Sequence, residues 1–305
     1  MSAPRILVTG ASGFIGSRAL EPLRRRDFDV HAAARDPSRI PSLPGVAAHR
    51  VDLLDANDTT RLLEAVRPTH LLHFAWSVEH GTFWTSPANL DWLGATLSLL
   101  RTFARIGGRR FVGAGTCAEY APGDAPRDEA ASPLAPATLY GAAKASAFLT
   151  GRVFAVQENI EFAWGRVFHL FGAGEAPARL VPSLLKAHRE GTAIDAGPKD
   201  QVFDFLDVDD VADAFAHIAA SDLVEAVNIG SGRVVTLGSL SAAIATIAGR
   251  EGAVRFGARP PGPRLIPRVD KLAASGWRVR RTLEEGLGAL GNLDPTSGER
   301  AEQAE

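Results

Sequence analysis

The chain has 305 residues but a single cysteine, Cys117, so no disulfide can close within it. No Cys/His cluster has metal-ligand spacing, and no bound metal is expected. No apolar run is long enough to cross a membrane. Charge of one sign is missing too, since 33 Lys and Arg stand against 35 Asp and Glu for a formal net charge of −2. That balance gives no electrostatic case for nucleic acid or an anionic membrane as partner. The run Arg24-Arg25-Arg26 is short and reads as a solvated, dipole-favoured helix end. Because Arg5-Ile6-Leu7-Val8 already reads as a strand feeding a glycine turn, no signal peptide is expected and a cytoplasmic location is.

The hydrophobic pattern alternates between two periods. Short apolar runs at Ile6–Val8, Val30–Ala34, Val46–Val51, Leu71–Ala75, Arg110–Gly113 and Phe162–Phe168 read as strands. Between them lie helical patterns at Gly13–Arg25, Leu62–Val66, Leu90–Phe103 and Tyr140–Val156. Alternation of this kind predicts an α/β protein, a Rossmann doubly wound parallel sheet with helices on both faces. Ligands of such sheets bind at the carboxyl ends of the strands. After Gly172 the pattern is richer in Pro and Gly, with helices expected at Val181–Arg189, Val208–Ala220 and Leu237–Ala248 and a strand at Ala226–Ile229. The expected division is a dinucleotide-binding domain over 1–168, rejoined by elements from about 204–232. A smaller substrate lobe is expected over 169–203 and 233–290, with a polar tail over 291–305.

Thr9-Gly10-Ala11-Ser12-Gly13-Phe14-Ile15-Gly16 sits where the first strand turns into the first helix. Gly10 permits the sharp turn, Gly13 lets backbone approach a pyrophosphate, and Gly16 allows close helix–strand packing. The helix amino terminus then faces the phosphates. Ser12, Phe14 and Ile15 belong to the same turn. At the end of the second strand stands Arg35, a guanidinium able to pair with a 2′-phosphate, so NADP is favoured over NAD. Asp36 follows and is within reach of a ribose. Asp52, followed by Leu53, is placed to accept from the adenine amino group, although a helix-capping role also suits it. Phe74 and Ala75 end the fourth strand and should lie under the cofactor, while His73 reads as a packed histidine rather than a ligand.

Tyr140-Gly141-Ala142-Ala143-Lys144 places a phenol and an ammonium four residues apart, on one face of a helix. A neighbouring cation favours phenolate, so the tyrosine pKa is expected to fall towards working pH. Beside a nicotinamide, that pair is a proton-transfer group for carbonyl and alcohol redox chemistry.

Together these motifs resemble the extended short-chain dehydrogenases/reductases, the group of nucleotide-sugar epimerases, 4,6-dehydratases and 4-keto reductases. Gly165-Arg166-Val167-Phe168, Asp204-Phe205-Leu206-Asp207-Val208-Asp209-Asp210-Val211-Ala212 and Asn228-Ile229-Gly230-Ser231-Gly232 extend the resemblance from about Arg5 to Leu290. It implies that Thr116, in Gly115-Thr116-Cys117-Ala118-Glu119-Tyr120, polarises a carbonyl. Tyr140 would protonate the developing alkoxide, and Lys144 would hold the nicotinamide ribose. Family dehydratases carry Asp-Glu directly after the catalytic Thr. Cys117 and Ala118 stand there instead, and Glu119 comes one residue late, so dehydration is disfavoured.

The expected reaction is NADP(H)-dependent reduction of a nucleotide-linked 4-keto-6-deoxy sugar. A 4-epimerase retaining its NAD(P) and a non-catalytic NADP-binding regulator are the alternatives. The resemblance also nominates substrate contacts at Cys117, Glu119, His169, Arg179, Val181, Gln201, Arg259 and Arg264. Phe203 replaces the family Arg that grips diphosphate, leaving Arg259 or Arg264 as candidates for that grip. In the Leu90–Phe103 helix the family Asn aligns with Trp92, and Asn89 is the substitute. Apolar surface on Leu93, Leu97 and Leu100, with Ala147, Phe148 and Phe154, suggests a homodimer through a four-helix bundle.

Overall fold

The computed structural model describes residues 3–79, 81–250, 252–258, 260–262 and 264–291. Its centre is a seven-stranded sheet. The strands are β1 (Arg5–Thr9), β2 (Asp29–Ala34), β3 (Val46–Arg50), β4 (His70–His73), β5 (Arg110–Thr116), β6 (Glu161–Val167) and β10 (Glu225–Ile229). They run in the spatial order β10-β6-β5-β4-β1-β2-β3, and every neighbouring pair is parallel. Parallel neighbours need crossovers, supplied here by α1 (Gly16–Arg24), α2 (Ala56–Val66), α3 (Ala88–Arg105), α4 (Leu139–Gln157) and α6 (Val208–Ala220). The order reverses between β1 and β4, and the Rossmann architecture expected from the alternating pattern is the one observed.

Side chains of alternate residues leave a strand on opposite faces. In β1, Ile6 and Val8 join the core beneath α1 and α6, whereas Leu7 joins the core beneath α2, α3 and α4. Both faces are therefore apolar, which is why the strands read as nearly unbroken hydrophobic runs. The helix expected at Leu62–Val66 begins earlier, at Ala56, because Asp55 caps it by accepting from the amides of Asn57 and Asp58.

At Phe168 the chain leaves the main sheet. β7 (His169–Phe171) pairs with β9 (Val202–Asp207), which also pairs with β11 (Val234–Thr236). A two-stranded sheet joins β8 (Ala193–Ala196) to β12 (Ala253–Phe256). Around these strands pack α5 (Leu180–Glu190), α7 (Leu237–Ala248) and α9 (Leu283–Gly291), with their own core of Val181, Leu184, Leu240, Ile244 and Leu287. Short α8 (Asp270–Ala274) lies against β10.

Candidate active site

One cleft of about 850 Å³ runs over the carboxyl ends of the strands, from the glycine turn to the β7–β9 sheet. At its first end Gly10 has φ +70°, and a Cβ there would lie 2.7 Å from the amide nitrogen of Ala75. A Cβ on Gly16 would lie 2.2 Å from the carbonyl oxygen of Gly10, so α1 can start against the turn only as glycine. The amides of Phe14 and Ile15 donate to no carbonyl among the described residues, and both residues line the cleft. Exposed donors at a helix amino terminus suit a pyrophosphate, and the residues fit the dinucleotide that the motif implies.

Ser12, Gly13, Phe14, Ile15, Gly16, Arg35, Leu53, Phe74 and Ala75 all line this cleft. Arg35 has no hydrogen bond or ion pair among the described residues. It also borders a smaller cavity of about 440 Å³ with Arg50, Asp52 and Asp58. Asp52 borders that smaller cavity between the cleft residues Val51 and Leu53, and its Oδ1 accepts from the amide of Leu54. Asp36 accepts from the amide and hydroxyl of Ser38 and serves as a local cap. His73 is fully buried, with Nδ1 2.7 Å from the Thr9 hydroxyl and Nε2 2.9 Å from that of Thr96. Burial, then the Lys144 charge, push its pKa down to about 3, so it is a neutral packed residue as expected.

Thr116, Tyr140 and Lys144 converge midway along the cleft. Thr116 ends β5, and its Oγ1 accepts from the amide of Ala118 at 3.2 Å. That bond uses an oxygen lone pair and leaves the hydroxyl proton free to donate. The Thr116 hydroxyl and Tyr140 both line the cleft, and the threonine favours the ionised form of the phenol. Lys144 Nζ donates to the carbonyl of Ala114 at 2.8 Å and lies 3.9 Å from the Trp76 ring centre. Burial pulls its pKa down to about 7, opposed by the Glu119 charge.

The expected depression of the Tyr140 pKa is not what the chain produces. Burial raises it above the ordinary phenol range, the Thr116 side chain opposing and the Glu119 charge reinforcing. The physical reason is enclosure: Phe83, Trp84 and Trp76 present to its ring edge-on, at centroid distances of 5.0, 5.7 and 6.4 Å. Lys144 meanwhile is 6.0 Å from that ring and directs a proton at Ala114. This aromatic collar was not anticipated from sequence. Asn89 anchors it, accepting from Trp76 Nε1 at 2.9 Å and donating to the carbonyls of Phe83 and Ser86. The Asn89 amide is thus committed to the loop, and Trp92 is the residue that reaches the cleft.

Among the nominated substrate contacts, Cys117, His169 and Arg179 line the cleft. Burial pushes the Cys117 thiol up to about 12, and the His169 ring, edge-on to Phe203, is pushed down to about 4 by burial and then by Arg179. Glu119 does not reach the cleft, because its carboxylate is wholly buried behind Thr116. Val181 is buried beneath the lobe while its neighbour Leu180 takes the cleft position. Gln201 accepts from the amide of Gly262 at 2.5 Å and is absent from the cleft wall. Arg264 is exposed, and Leu265 faces the cleft in its place. Arg259 lies outside the described residues. Phe203, Phe205 and Glu175 also line the lobe end, which sequence motifs had not marked as contacts.

Residues 6–230 match the model of the NAD dependent epimerase/dehydratase family. The chain belongs to that family. It is 24% identical to GDP-L-fucose synthase 1 of Arabidopsis thaliana over 306 residues, 93% of this chain and 90% of the relative. It is 25% identical to UDP-glucose 4-epimerase of Azospirillum brasilense over 323 residues, 94% and 90% of the two chains. The solved UDP-glucose 4-epimerase of Thermus thermophilus, a complex with NAD, superposes with a TM-score of 0.82 at 27% identity, covering 94% of this chain and 98% of that one. Membership makes the chain an enzyme of the oxidoreductase type, an extended short-chain dehydrogenase/reductase. Among the described residues no helix is long and apolar enough to cross a membrane.

Proposed function

We propose that this enzyme reduces the keto group of a nucleotide-linked 4-keto-6-deoxy sugar with NADPH in the cytoplasm. The observation that carries the reading is the meeting of Thr116, Tyr140 and Lys144 in the same cleft as the glycine turn. NADPH, when bound, supplies the hydride. Thr116 donates a hydrogen bond to the substrate oxygen, Tyr140 gives up its phenolic proton to that oxygen, and Lys144 holds the cofactor ribose. A phenol kept protonated by burial suits the donor role, which is the reductive direction. Cys117 is an inert thiol and Ala118 has no titratable group, so elimination of water lacks its acid and base.

Arg35 supports NADP over NAD, since it lies unpaired at the end of β2 with Arg50 across the smaller cavity. Arg179 is the lobe-side guanidinium among the described cleft residues and would hold the nucleotide phosphates in place of Arg259 and Arg264. Residues 169–203 and 233–290 would form the substrate lobe. A homodimer is proposed because α3 and α4 pack together yet leave Leu90, Leu149, Val153 and Val156 exposed.

Likeness to UDP-glucose 4-epimerases keeps a 4-epimerase as the second reading. Incubation with 4-keto-6-deoxy sugars linked to UDP, GDP, CDP or dTDP separates the two. A reductase consumes NADPH in proportion to product, an epimerase interconverts sugars without net consumption, and neither result with any sugar rejects both.

A further inference from the structure

Behind the catalytic threonine lies a polar network closed off from water. Glu119 is 0% exposed, yet its carboxylate is fully engaged. Oε1 accepts from the amide of Thr116 at 2.9 Å and from Trp164 Nε1 at 2.8 Å. Oε2 accepts from Arg166 Nε at 2.8 Å, making an ion pair buried on both sides. Arg166 is held between the rings of Tyr120 and Phe148, at 4.7 and 4.6 Å, and donates to the Tyr120 hydroxyl at 3.0 Å. That hydroxyl donates in turn to Asn228 at 2.7 Å, on the edge strand β10. Room for the crowding comes from Gly115, where a Cβ would lie 2.2 Å from Trp164 Nε1 and 2.5 Å from Glu119 Oε1.

We propose that Glu119 is a positioning residue for the reaction: it clamps the backbone of Thr116 so that the hydroxyl faces the reacting oxygen, and it sets a fixed negative charge behind Tyr140 and Lys144. The inference rests on the reductase reading of the same site. Thr116 and Glu119 cap each other, the threonine side chain accepting from the turn and the glutamate accepting from the threonine amide. A rigid turn is what keeps a one-oxygen donor aligned, and misplacement by an ångström lowers a rate by about a hundredfold. The charge acts in a dry interior, where it is weakly screened. It raises the pKa of Tyr140, Lys144 and Cys117 alike. The groups facing it are Arg166 on β6, Thr116 and Cys117 at the end of β5, Tyr120 beside Glu129, and Tyr140 and Lys144 on α4.

Glu119→Gln tests the charge, and Trp164→Phe tests the clamp. The first keeps the shape and removes the charge, and the same variant exposes Arg166 as an unpaired cation that acts with the same sign. The expected result is a kcat lowered by about tenfold to a hundredfold with KM for NADPH and sugar nearly unchanged. The alkaline limb of activity should also move to lower pH, because Lys144 gives up its proton sooner. Cys117, the sole cysteine of the chain, reports the charge without substrate or cofactor. Its alkylation by iodoacetamide should follow a pH curve displaced to lower pH in Glu119→Gln.

A curve lying on that of the unaltered enzyme, or one displaced to higher pH, would overturn the charge assignment. Unchanged kcat in Glu119→Gln would overturn the part of the charge in turnover, and the clamp, whose acceptor oxygen Gln keeps, is judged by Trp164→Phe. Trp164→Phe removes one bond to Oε1 and keeps the charge, and it serves also if Glu119→Gln does not fold. It should lower kcat by about threefold to tenfold while leaving the alkylation curve in place, and full activity in that variant would refute the clamp. Inactivity of the unaltered enzyme towards every keto sugar rejects the reductase reading yet leaves the alkylation result to judge the charge.

Discussion

Lys144 Nζ lies 2.8 Å from the carbonyl oxygen of Ala114, which ties the proton-transfer helix α4 to the strand that ends in Thr116. The ammonium is buried and has lost much of its hold on its proton, with a pKa brought down to about 7. Below that value Lys144 is a cation able to hold the cofactor, and above it the charge is lost. The reductive kcat/KM should therefore fall as pH rises through about 7. Lys144→Met should lower the rate at pH 6 and remove that limb, as a pH–rate series on both proteins would reveal.

Tyr140→Phe deletes the proton and little else, because the ring keeps its collar of Trp76, Phe83 and Trp84. Turnover should drop by about 10²–10⁴-fold while NADPH affinity changes little. Stopped-assay kinetics beside a fluorescence titration of NADPH would check this, and a variant retaining normal turnover would remove Tyr140 from the mechanism.

Arg35 has no protein partner to lose, so Arg35→Ala should leave folding intact. Binding of NADPH should weaken by about tenfold or more, the worth of a charge-assisted bidentate contact, while NADH binding hardly moves. Titrating both cofactors against both proteins decides it. An unchanged preference would reject the 2′-phosphate role.

His73 is neutral in the fold, with a pKa of about 3, but takes a proton near 6.5 when the chain unfolds. Below pH 6.5 the unfolded state binds the extra proton, so this stability is present above that value and is lost as pH falls towards 3. The contribution lost between pH 7 and pH 5 is about 2 kcal/mol. The buried acids Glu175, Asp204, Asp207 and Asp210, whose pKa values are raised by burial, act in the opposite sense. Urea unfolding at both pH values, compared with His73→Asn, isolates the histidine: the variant should show the smaller acid loss.

Val153 and Leu149 are exposed on α4, and an ion placed there would have to be desolvated in the proposed helix–helix interface. Leu149→Glu with Val153→Glu should shift sedimentation from dimer to monomer without lowering the melting temperature of the monomer fold. A single species of unchanged mass would contradict the bundle interface.

Local signals were legible and distant ones were not. The turn at Gly10 to Gly16 and the Tyr140–Lys144 spacing each sit within one element boundary, and both fell where the pattern placed them. Glu119 was misassigned because its partners other than Thr116 follow from packing: Trp164 is 45 residues away and Arg166 is 47. Even so, Thr116-Cys117-Ala118-Glu119 carries the Thr-x-x-Glu spacing of a capping box, and that spacing pointed at the threonine amide. The Tyr140 pKa went the other way because a helix-face argument counts the nearby cation and omits enclosure by Phe83 and Trp84, which come from a loop with no periodicity. Arg264 and Gln201 were chosen by alignment within a Pro- and Gly-rich region, where one residue of offset turns a side chain from cleft to solvent.

Strand β10 hydrogen-bonds to β6, and α6 packs against α1, although both come from residues 208–229. A ribosome that has released the first 168 residues has therefore made six of the seven strands, a sheet whose β6 border is still open and whose α1 side is bare. Closure waits for Ile229 to emerge, so residues 169–203 are already outside the exit tunnel when the seven-stranded sheet first becomes whole. Cutting the gene at the apparent domain border would yield two sticky fragments in place of two proteins.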